Sequence, residues 1–357
     1  MYIYANLVDF FSATQQIGGN SAKHSPLADM DWELCLSVTA AIVLAWLSFR
    51  FIKRFVYPQT LLGDLPNRHV LITGCDSGFG RAAAIKLDEL GLSVFAGCLT
   101  ESGASKLARQ CSDRLQTLIL DVTNPDDIKK AHEQVKQHLP QHTGLWGLVN
   151  NAGIAMFTAV ELTPLSEYKK MADVNLWGLI DVTLTFLPLI RKCGGRVVNI
   201  SSIAGRLSIP NTGPYSVTKY GVEAFSDALR REVSPWGVKV TLVEPGGFHT
   251  RFLAEGALEK KLQTLWESAN EQLRNDYGED NYKTQMASLK AISLIASSDL
   301  SEVVEAIAQG ILASSPGTRC LVGKDARFIY WWLTILPTST ADWLIAVGSR
   351  LVRRFLA

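Results

Sequence analysis

From His69 onward, short apolar runs alternate along the chain with stretches of helical pattern. The run "HVLIT" precedes "GRAAAIKLDELG" and "SVFAGCL" precedes "ASKLARQC"; similar apolar runs follow in "LQTLILDV", "GLWGLVNNAG", "GGRVVNIS" and "VKVTLVEPGG". Apolar strands separated by helices of this length are typical of right-handed βαβ units, in which helices cover both faces of a parallel sheet. The pattern therefore predicts an α/β fold, a single doubly wound parallel sheet of Rossmann-like type over residues 66–325.

The N-terminal region contains one uncharged apolar run, Leu34 to Phe49. As a helix it would be roughly 24 Å long at about 1.5 Å per residue, which suits a thin bilayer such as the endoplasmic reticulum. Acidic residues precede the run and basic residues follow it, which is the reverse of a cleaved signal peptide. By the positive-inside rule the following domain faces the cytosol. The chain is thus divided into a tail over 1–33, a transmembrane anchor over 34–52 and a linker over 53–65.

Two alternatives to this N-terminal assignment stay open. A shorter apolar run of this kind also occurs as a buried core helix of a soluble domain. A mitochondrial membrane is the alternative location, although the residues before the run lack the Arg-rich amphipathic pattern of a transit peptide.

Residues 326–357 are again hydrophobic and are predicted to interact with a membrane. Pro337 and Asp342 interrupt the apolar stretch, and its aromatic residues and C-terminal arginines suit an interfacial or re-entrant helix better than a second span. The alternative is an apolar tail that closes the pocket of its own subunit. Between the domain's last strands, residues 254–294 have a helical pattern that fits either a lid over a substrate pocket or a plain pair of packing helices.

Composition excludes some classes of function. The chain has 357 residues, 47% of them hydrophobic, and a formal net charge of +1 with well-mixed charges, so nothing in it favours nucleic acid. Its 6 cysteines are scattered, without the spacing of a zinc site or a disulfide framework. No metal is expected.

The segment "TGCDSGFG", Thr73 to Gly80, follows the first predicted strand and opens the first predicted helix. Glycines at this place permit a tight turn, and the amides of the helix N-terminus can receive a pyrophosphate. The spacing is TGxxxGxG and differs from the GxGxxG of many dinucleotide-binding proteins. On its own it is a weak signal for a nucleotide.

Further motifs make this turn specific, because together they resemble the short-chain dehydrogenase/reductase family from about His69 to Gly323. In the order of that family they are "TGCDSGFG", "DV" at Asp121, "NNAG" at Asn150 to Gly153, "VNLWG" at Asn175, "NISS" ending at Ser202, "YSVTK" at Tyr215 to Lys219, and "PGGFHT" at Pro245 to Thr250.

The resemblance implies a role for each residue of a catalytic set. Tyr215 would be the general base in alcohol oxidation, and Lys219, one turn along, would favour its phenolate and hold the nicotinamide ribose. Ser202 would hydrogen-bond the substrate oxygen. Asn175 resembles the asparagine that keeps a proton-relay water beside the lysine. Thr250 would hold the carboxamide and so fix the face of the ring that receives the hydride.

The cofactor that the resemblance implies is a nicotinamide dinucleotide. NADP enzymes of the family place a basic residue before the second glycine or after the second strand, whereas these places read Ser77 and Cys98-Leu99 here, with Asp76 nearby. NAD is therefore favoured over NADP, although Cys98 stands where many NAD-preferring members have an aspartate. The expected cofactor-binding residues are Gly74, Asp76, Ser77, Gly78, Phe79, Gly80, Cys98, Asp121, Asn151, Ala152, Gly153, Tyr215, Lys219, Pro245, Gly246 and Thr250.

Within the family the chain looks most like a membrane-associated branch that includes retinol dehydrogenases, type 2 17β-hydroxysteroid dehydrogenase and 3-hydroxybutyrate dehydrogenase. The implied reaction is oxidation of a lipophilic alcohol, a hydroxysteroid or retinol. Hydroxybutyrate would need a cationic clamp, for which only Arg206 and His249 offer themselves. The other alternative is a membrane-anchored NAD-binding scaffold without catalysis. Family members commonly form dimers or tetramers through the helices around Asn175 and Tyr215.

Overall fold

The protein is described by a computed structural model that covers residues 61–250 and 256–356, with isolated positions 37, 38, 41, 42 and 45. A seven-stranded sheet organises the described chain, with strand order β3-β2-β1-β4-β5-β6-β7. Every neighbouring pair is parallel. The strands are β1 (His69–Thr73), β2 (Ser93–Cys98), β3 (Leu115–Ile119), β4 (Gly147–Asn150), β5 (Arg196–Ile200), β6 (Lys239–Pro245) and β7 (Arg319–Val322). The predicted doubly wound parallel sheet is confirmed.

Helices cover both faces of this sheet. The α-helices of the described chain are α1 (Gly78–Glu89), α2 (Glu101–Ala108), α3 (Pro125–His138), α4 (Leu165–Ala172), α5 (Leu179–Arg191), α6 (Gly213–Glu232), α7 (Ala257–Ser268), α8 (Glu271–Tyr277), α9 (Glu279–Ile295), α10 (Ser301–Leu312), α11 (Trp331–Ile335) and α12 (Thr338–Leu356). Short π-helical turns over Asp173–Gly178 and Ala326–Tyr330 lie between α4 and α5 and before α11.

The strands are apolar throughout because both faces of the sheet are buried. In β1, Val70 and Ile72 belong to the core cluster on one face, together with α1 and α10, whereas Leu71 belongs to the cluster on the other face, together with α3 and α5. Successive side chains of a strand point to opposite faces of the sheet, so one continuous apolar run contributes to both cores.

Local signals set the helix starts. Asn124 caps α3 by accepting a hydrogen bond from the Asp126 amide at 3.0 Å, and Pro125 occupies the first helical position, as "VTNPDDI" predicts. Thr100 caps α2 through the Gly103 amide at 3.0 Å. Both caps fix the loops that follow a strand at the carboxyl edge of the sheet.

Within the described residues, one continuous helical stretch, Leu165–Arg191, is long and apolar enough to cross a membrane by length and composition. Its most apolar window is 44% buried, and it packs as α4, the π turn and α5 against the sheet and α6. This stretch is therefore a core element of the domain. The predicted anchor over 34–52 lies outside the described residues except for the isolated positions named above.

Residues 60–357 form one compact unit, which extends beyond the predicted domain at both ends. The predicted limits of 66–325 therefore stay a prediction. The region predicted as a lid or a helix pair contains three helices, α7 to α9. The apolar C-terminal stretch folds as α11 and α12, with Pro337 at the break between them. The helices of 257–295 pack on the loop after β4, where Leu258, Leu262 and Leu289 surround Phe157.

Candidate active site

A cavity of about 500 Å³ opens at the carboxyl edge of the sheet. It lies where β1 is next to β4, the point at which the strand order reverses direction. In doubly wound sheets this crevice is the place for a ligand, because the loops after neighbouring strands diverge there. The loops after β1 to β6 all contribute to its wall.

The glycine-rich turn forms one wall. Gly74 and Gly78 have φ of 73° and 61°, a left-handed conformation that favours glycine. Ser77 precedes α1 without capping it through its side chain, so the first amides of α1 keep their capacity to bind an anion. Gly80 has another purpose, since an added Cβ would collide with the side chain of Asn151 and with the Gly74 carbonyl.

Asp76 ties this turn to the end of β2. Its carboxylate accepts hydrogen bonds from the Leu99 amide at 2.7 Å, the Thr100 amide at 3.0 Å and the Thr100 hydroxyl at 2.6 Å. Asp76, Leu99 and Thr100 all line the cavity. A negative charge is therefore fixed next to the loop after β2.

Cys98 is not part of this wall. It is fully buried in the core between the sheet and α2, and burial raises the pKa of its thiol to about 12. Leu99, at 59% exposure, occupies the cavity side of the strand end instead. The reason is the alternation of a strand, which sends neighbouring side chains to opposite faces.

The loop after β4 is bound tightly to the loop after β1. The amides of Asn151 and Ala152 both donate to the Thr73 hydroxyl at 3.0 Å. The Asn151 side chain donates to the carbonyls of Thr73 at 2.9 Å and Gly74 at 3.1 Å. These bonds explain why "TG" and "NNAG" occur together, since each motif satisfies the polar groups of the other.

Tyr215, Lys219 and Ser202 line one part of the cavity. Tyr215 and Lys219 lie one turn apart on α6, and Ser202 follows β5. The Ser202 side chain hydrogen-bonds the Tyr215 phenol, and its oxygen lies 3.3 Å from the Pro245 carbonyl and accepts the Ala204 amide at 3.1 Å. The Lys219 ammonium donates to the Ile200 carbonyl at 2.9 Å.

Burial shifts the pKa values of this pair in opposite directions. Desolvation raises the pKa of Tyr215 to about 12, although the Ser202 hydrogen bond acts to lower it. Desolvation also lowers the pKa of Lys219 to about 8, although the nearby Glu223 carboxylate acts to raise it. In both groups the loss of hydration disfavours the charged form. For Tyr215, desolvation outweighs the Ser202 hydrogen bond, so the net shift of its pKa is upward.

Asn175 lies behind the cavity wall, in the π turn Asp173–Gly178, and is almost fully buried. Its side chain accepts the Ile154 amide at 2.7 Å and donates to the Ile154 carbonyl at 2.8 Å. It also donates to the Thr218 hydroxyl at 3.1 Å. Asn175 thus joins the loop after β4 to the helix that carries Tyr215 and Lys219.

Most of the other expected residues surround the same cavity. Gly153, Asp121 and Phe79 line it, and Pro245, Gly246 and Thr250 form the wall after β6. The Asp121 carboxylate accepts the Thr123 amide and hydroxyl, both at 2.8 Å. Gly80, Cys98 and Asn175 are the expected residues that do not line the cavity.

Several lining residues were not predicted from the motifs. Most of them follow the end of a strand, so the rule that ligands bind at the carboxyl edge of a parallel sheet could have found them. They are Leu99, Thr100, Leu120, Val122, Ile154, Ala155, Phe157, Val174, Ile200, Ser201, Gly247 and Phe248.

Phe157 is the most informative of these residues. Its ring meets the Tyr215 ring edge to face, with centroids 5.6 Å apart. The helices of 257–295 support it from behind. A hydrophobic wall therefore stands directly beside the phenol.

Three charged side chains line the cavity among the residues that the structure describes. They are Asp76, Asp121 and Lys219. Arg206 is not among the lining residues and pairs with Glu244 at 3.5 Å. His249 is also absent from the lining.

The chain is similar in sequence to known proteins over most of its length. The family model described as short chain dehydrogenase matches residues 68–261. Retinol dehydrogenase 7 of Mus musculus is 42% identical over 309 residues, which covers 87% of this chain and 96% of that protein. 17-beta-hydroxysteroid dehydrogenase type 6 of Rattus norvegicus is 42% identical over 301 residues, covering 84% of this chain and 94% of that one.

Solved structures give the same likeness. A short-chain dehydrogenase from Streptomyces avermitilis has a TM-score of 0.63 and 28% identity, covering 79% of this chain and 98% of its own. A 3-ketoacyl-(acyl-carrier-protein) reductase from Brucella melitensis, complexed with NADH, has a TM-score of 0.50 and 26% identity, covering 53% of this chain and 79% of its own.

Proposed function

The chain belongs to the short chain dehydrogenase family and is an oxidoreductase acting on lipophilic alcohols; from this premise we propose that it oxidises a retinol or a hydroxysteroid with NAD and that Tyr215 is its general base. The observation that carries the proposal is the meeting of Ser202, Tyr215 and Lys219 in the cavity that the glycine-rich turn also lines. The relatives named for retinol and 17-beta-hydroxysteroid support the substrate class.

The residues of the cavity fit a nicotinamide dinucleotide. Gly74 and Gly78 let the backbone approach a pyrophosphate closely, and the uncapped start of α1 offers amides to it. Lys219 would hold the nicotinamide ribose, and Thr250 would hold the carboxamide. Gly153 would help to shape the wall between them, since a side chain there would press on Asn175. Bound NAD would accept the hydride from the carbinol carbon as the hydroxyl loses its proton.

The chemistry of the protein side is a proton transfer. Ser202 would hold the substrate oxygen beside the Tyr215 phenol, and Tyr215 in its phenolate form would take the hydroxyl proton. Lys219, while charged, favours that phenolate electrostatically. The carbonyl product then leaves, and the proton remains on Tyr215. Asn175 and the backbone that it fixes would provide a route for this proton towards solvent.

NAD is favoured over NADP by the loop after β2. The Asp76 carboxylate is fixed there by Leu99 and Thr100, and no basic side chain lines this part of the cavity among the described residues. A 2′-phosphate would lie beside a negative charge without a cation to pair with it. The ribose hydroxyls of NAD carry no such charge.

A lipophilic alcohol fits the wall around Tyr215 better than 3-hydroxybutyrate. Ile154 packs on the same apolar cluster as Tyr215, and the Phe157 ring meets the Tyr215 ring. Ala155 and Phe248 also line the cavity. A carboxylate substrate would need a cation, and Lys219, the cation in the lining, donates to the Ile200 carbonyl. Arg206 is already paired with Glu244. The scaffold alternative loses support because the whole catalytic set is present.

Membrane association would bring such substrates to the enzyme. The C-terminal helices expose Phe328, Trp332 and Trp343, with 73%, 54% and 63% of their surface accessible. Aromatic residues of this kind favour the interface of a bilayer. We propose attachment to the endoplasmic reticulum membrane through 34–52 and 326–357, with the catalytic domain in the cytosol.

A homo-oligomer is also part of the proposal. Trp177, Val217 and Tyr220 are large and exposed on the π turn and on α6, next to the catalytic set. Large exposed apolar side chains that are close together are typical of a subunit interface. Their burial would bring the π turn and α6 of two subunits together.

The test is NADH formation by the purified, detergent-solubilised protein with all-trans-retinol, estradiol and 3-hydroxybutyrate. NADP replaces NAD in a parallel series, and Tyr215→Phe is the control. We expect turnover of retinol or the steroid with NAD, and its loss by about a hundredfold or more in Tyr215→Phe. Turnover of hydroxybutyrate alone, or full activity of the variant, would contradict the proposal.

A further inference from the structure

The loop 245–250, which forms the cavity wall after β6, is held from outside the cavity by Asp325. The Asp325 carboxylate accepts the Gly247 amide at 2.7 Å. Backbone bonds add to this attachment, from Gly246 to the Val322 carbonyl at 2.9 Å and from His249 to the Ser297 carbonyl at 2.8 Å. The loop therefore rests on residues that lie far away in the sequence.

Two glycines make room for this carboxylate. A Cβ added to Gly246 would fall on the Asp325 carboxylate, 2.6 Å from its Cγ. A Cβ added to Gly323 would lie 2.7 Å from one Asp325 oxygen. Gly323 also has φ of 102°, which a side chain rarely permits. Both glycines are thus explained by the space that Asp325 occupies.

Asp325 lies in the first turn of the helical segment that begins at Lys324, with a helical φ of −59° and ψ of −47°. Its carboxylate makes no cap bond within this segment and accepts the Gly247 amide instead. The first turn of the C-terminal segment is therefore attached to the loop by a charged acceptor.

We propose that Asp325 is a positioning residue for the cofactor, because it holds Gly246 and Gly247 where Pro245 and Thr250 line the cavity. The inference rests on the proposed function, since the ligand of this loop is taken to be NAD. Asp325 itself is not among the lining residues, so its effect passes through the loop.

The test is fluorescence titration of the full-length, detergent-solubilised protein with NADH. Asp325→Ala removes the acceptor, so we expect the Kd to rise about tenfold, a typical effect of losing a charged partner of an amide. Asp325→Asn keeps an acceptor of the same shape, so its Kd for NADH should rise less than about threefold. In turnover assays, Asp325→Ala should raise the KM for NAD while leaving kcat at saturating NAD within about threefold.

Glu302→Gln is the matched control. Its carboxylate lies in the same region and pairs with Arg327, two residues after Asp325, at 3.4 Å. NADH affinity of this variant should equal that of the wild type. An equal loss in Glu302→Gln and Asp325→Ala would overturn the proposal, because it would indicate a general effect of charge near the C-terminal segment.

Gly246→Ala gives an independent measurement if Asp325→Ala folds poorly. The added methyl collides with the carboxylate, so we expect weaker NADH binding in the wild-type background and little further loss in the Asp325→Ala background. Additive losses would overturn the proposal. A wild type that binds NADH, together with an Asp325→Ala variant of unchanged affinity, would overturn this inference alone. A wild type that binds neither NADH nor NADPH would overturn the proposed cofactor as well.

Discussion

The Lys219 ammonium lies 5.6 Å from the centre of the Tyr215 ring. The two side chains share one face of α6, and burial disfavours the charged form of each. A phenolate and an ammonium stabilise each other more strongly in such a site than in water, because few solvent dipoles screen them. Burial therefore disfavours a phenolate or an ammonium that is present alone, whereas the two charges together stabilise each other.

The first prediction concerns the pH dependence of alcohol oxidation. Because the pKa of Tyr215 is raised to about 12, only a small fraction is phenolate near neutral pH, and that fraction grows as the pH rises. We expect kcat/KM for oxidation to rise by up to about tenfold per pH unit on the acidic side of the profile. Reduction of the product, which needs the protonated phenol, should not show this rise.

The measurement is a pair of pH profiles for the forward and reverse reactions at fixed ionic strength. A flat oxidation profile would show that the proton leaves by a route other than Tyr215. The rise should level off above about pH 8, because Lys219, with a pKa of about 8, loses its charge there and this loss offsets the further ionisation of Tyr215.

The second prediction separates stability from activity at Lys219. Its pKa is 10.5 when solvated and about 8 in the fold, so the unfolded chain binds the proton more tightly. The buried charge therefore destabilises the fold, and the destabilisation has its full size below pH 8 and disappears as the pH rises towards 10.5. Lys219→Met should lose activity and yet be more stable by about 2 kcal/mol at neutral pH.

Chemical denaturation of both proteins from neutral to alkaline pH checks this prediction. The free energies of unfolding should converge as the pH rises. A variant less stable than the wild type at neutral pH would mean that the hydrogen bond to the Ile200 carbonyl outweighs the desolvation of the ammonium.

The sequence predicted the sheet and the position of Tyr215 and Lys219 one turn apart on α6 because both depend on local pattern. Apolar runs specify buried strands, and "YSVTK" places two side chains one turn apart on a helix. The motif predicts Cys98 as a cofactor-binding residue, whereas strand alternation buries Cys98 in the core and puts Leu99 on the cavity wall.

Residues that act through distant contacts could not be predicted in this way. Arg319, on β7, bridges Glu223, Glu244 and Asp227 behind α6, with bonds of 2.6 Å to Glu244 and 3.0 Å to Asp227. Its partners lie more than seventy positions away in the sequence, and no motif joins them. Such partners become visible only once the strand order is known.

The third prediction concerns the hydrophobic wall beside Tyr215. Phe157→Ala removes a ring that packs edge to face on the phenol and that the helices of 257–295 support. We expect the KM for retinol or a steroid to rise about tenfold or more, because a large apolar contact is lost. NADH affinity should stay unchanged, which fluorescence titration would check. Equal losses for a short alcohol and a large one would argue against a role in substrate recognition.

The last prediction concerns the choice between NAD and NADP at the end of β2. Leu99 lines the cavity and is 59% exposed, so a longer side chain can be accommodated without disturbing the core. Leu99→Arg would place a cation beside the fixed Asp76 carboxylate, where it can pair with a 2′-phosphate. We expect kcat/KM with NADP to rise about tenfold or more relative to NAD, as measured by parallel titrations. Leu99→Gln is the matched control, since it adds length without charge and should leave the preference nearly unchanged. A preference that stays fixed in Leu99→Arg would mean that the 2′-hydroxyl lies away from this strand end, and the argument for NAD from Asp76 would then fail.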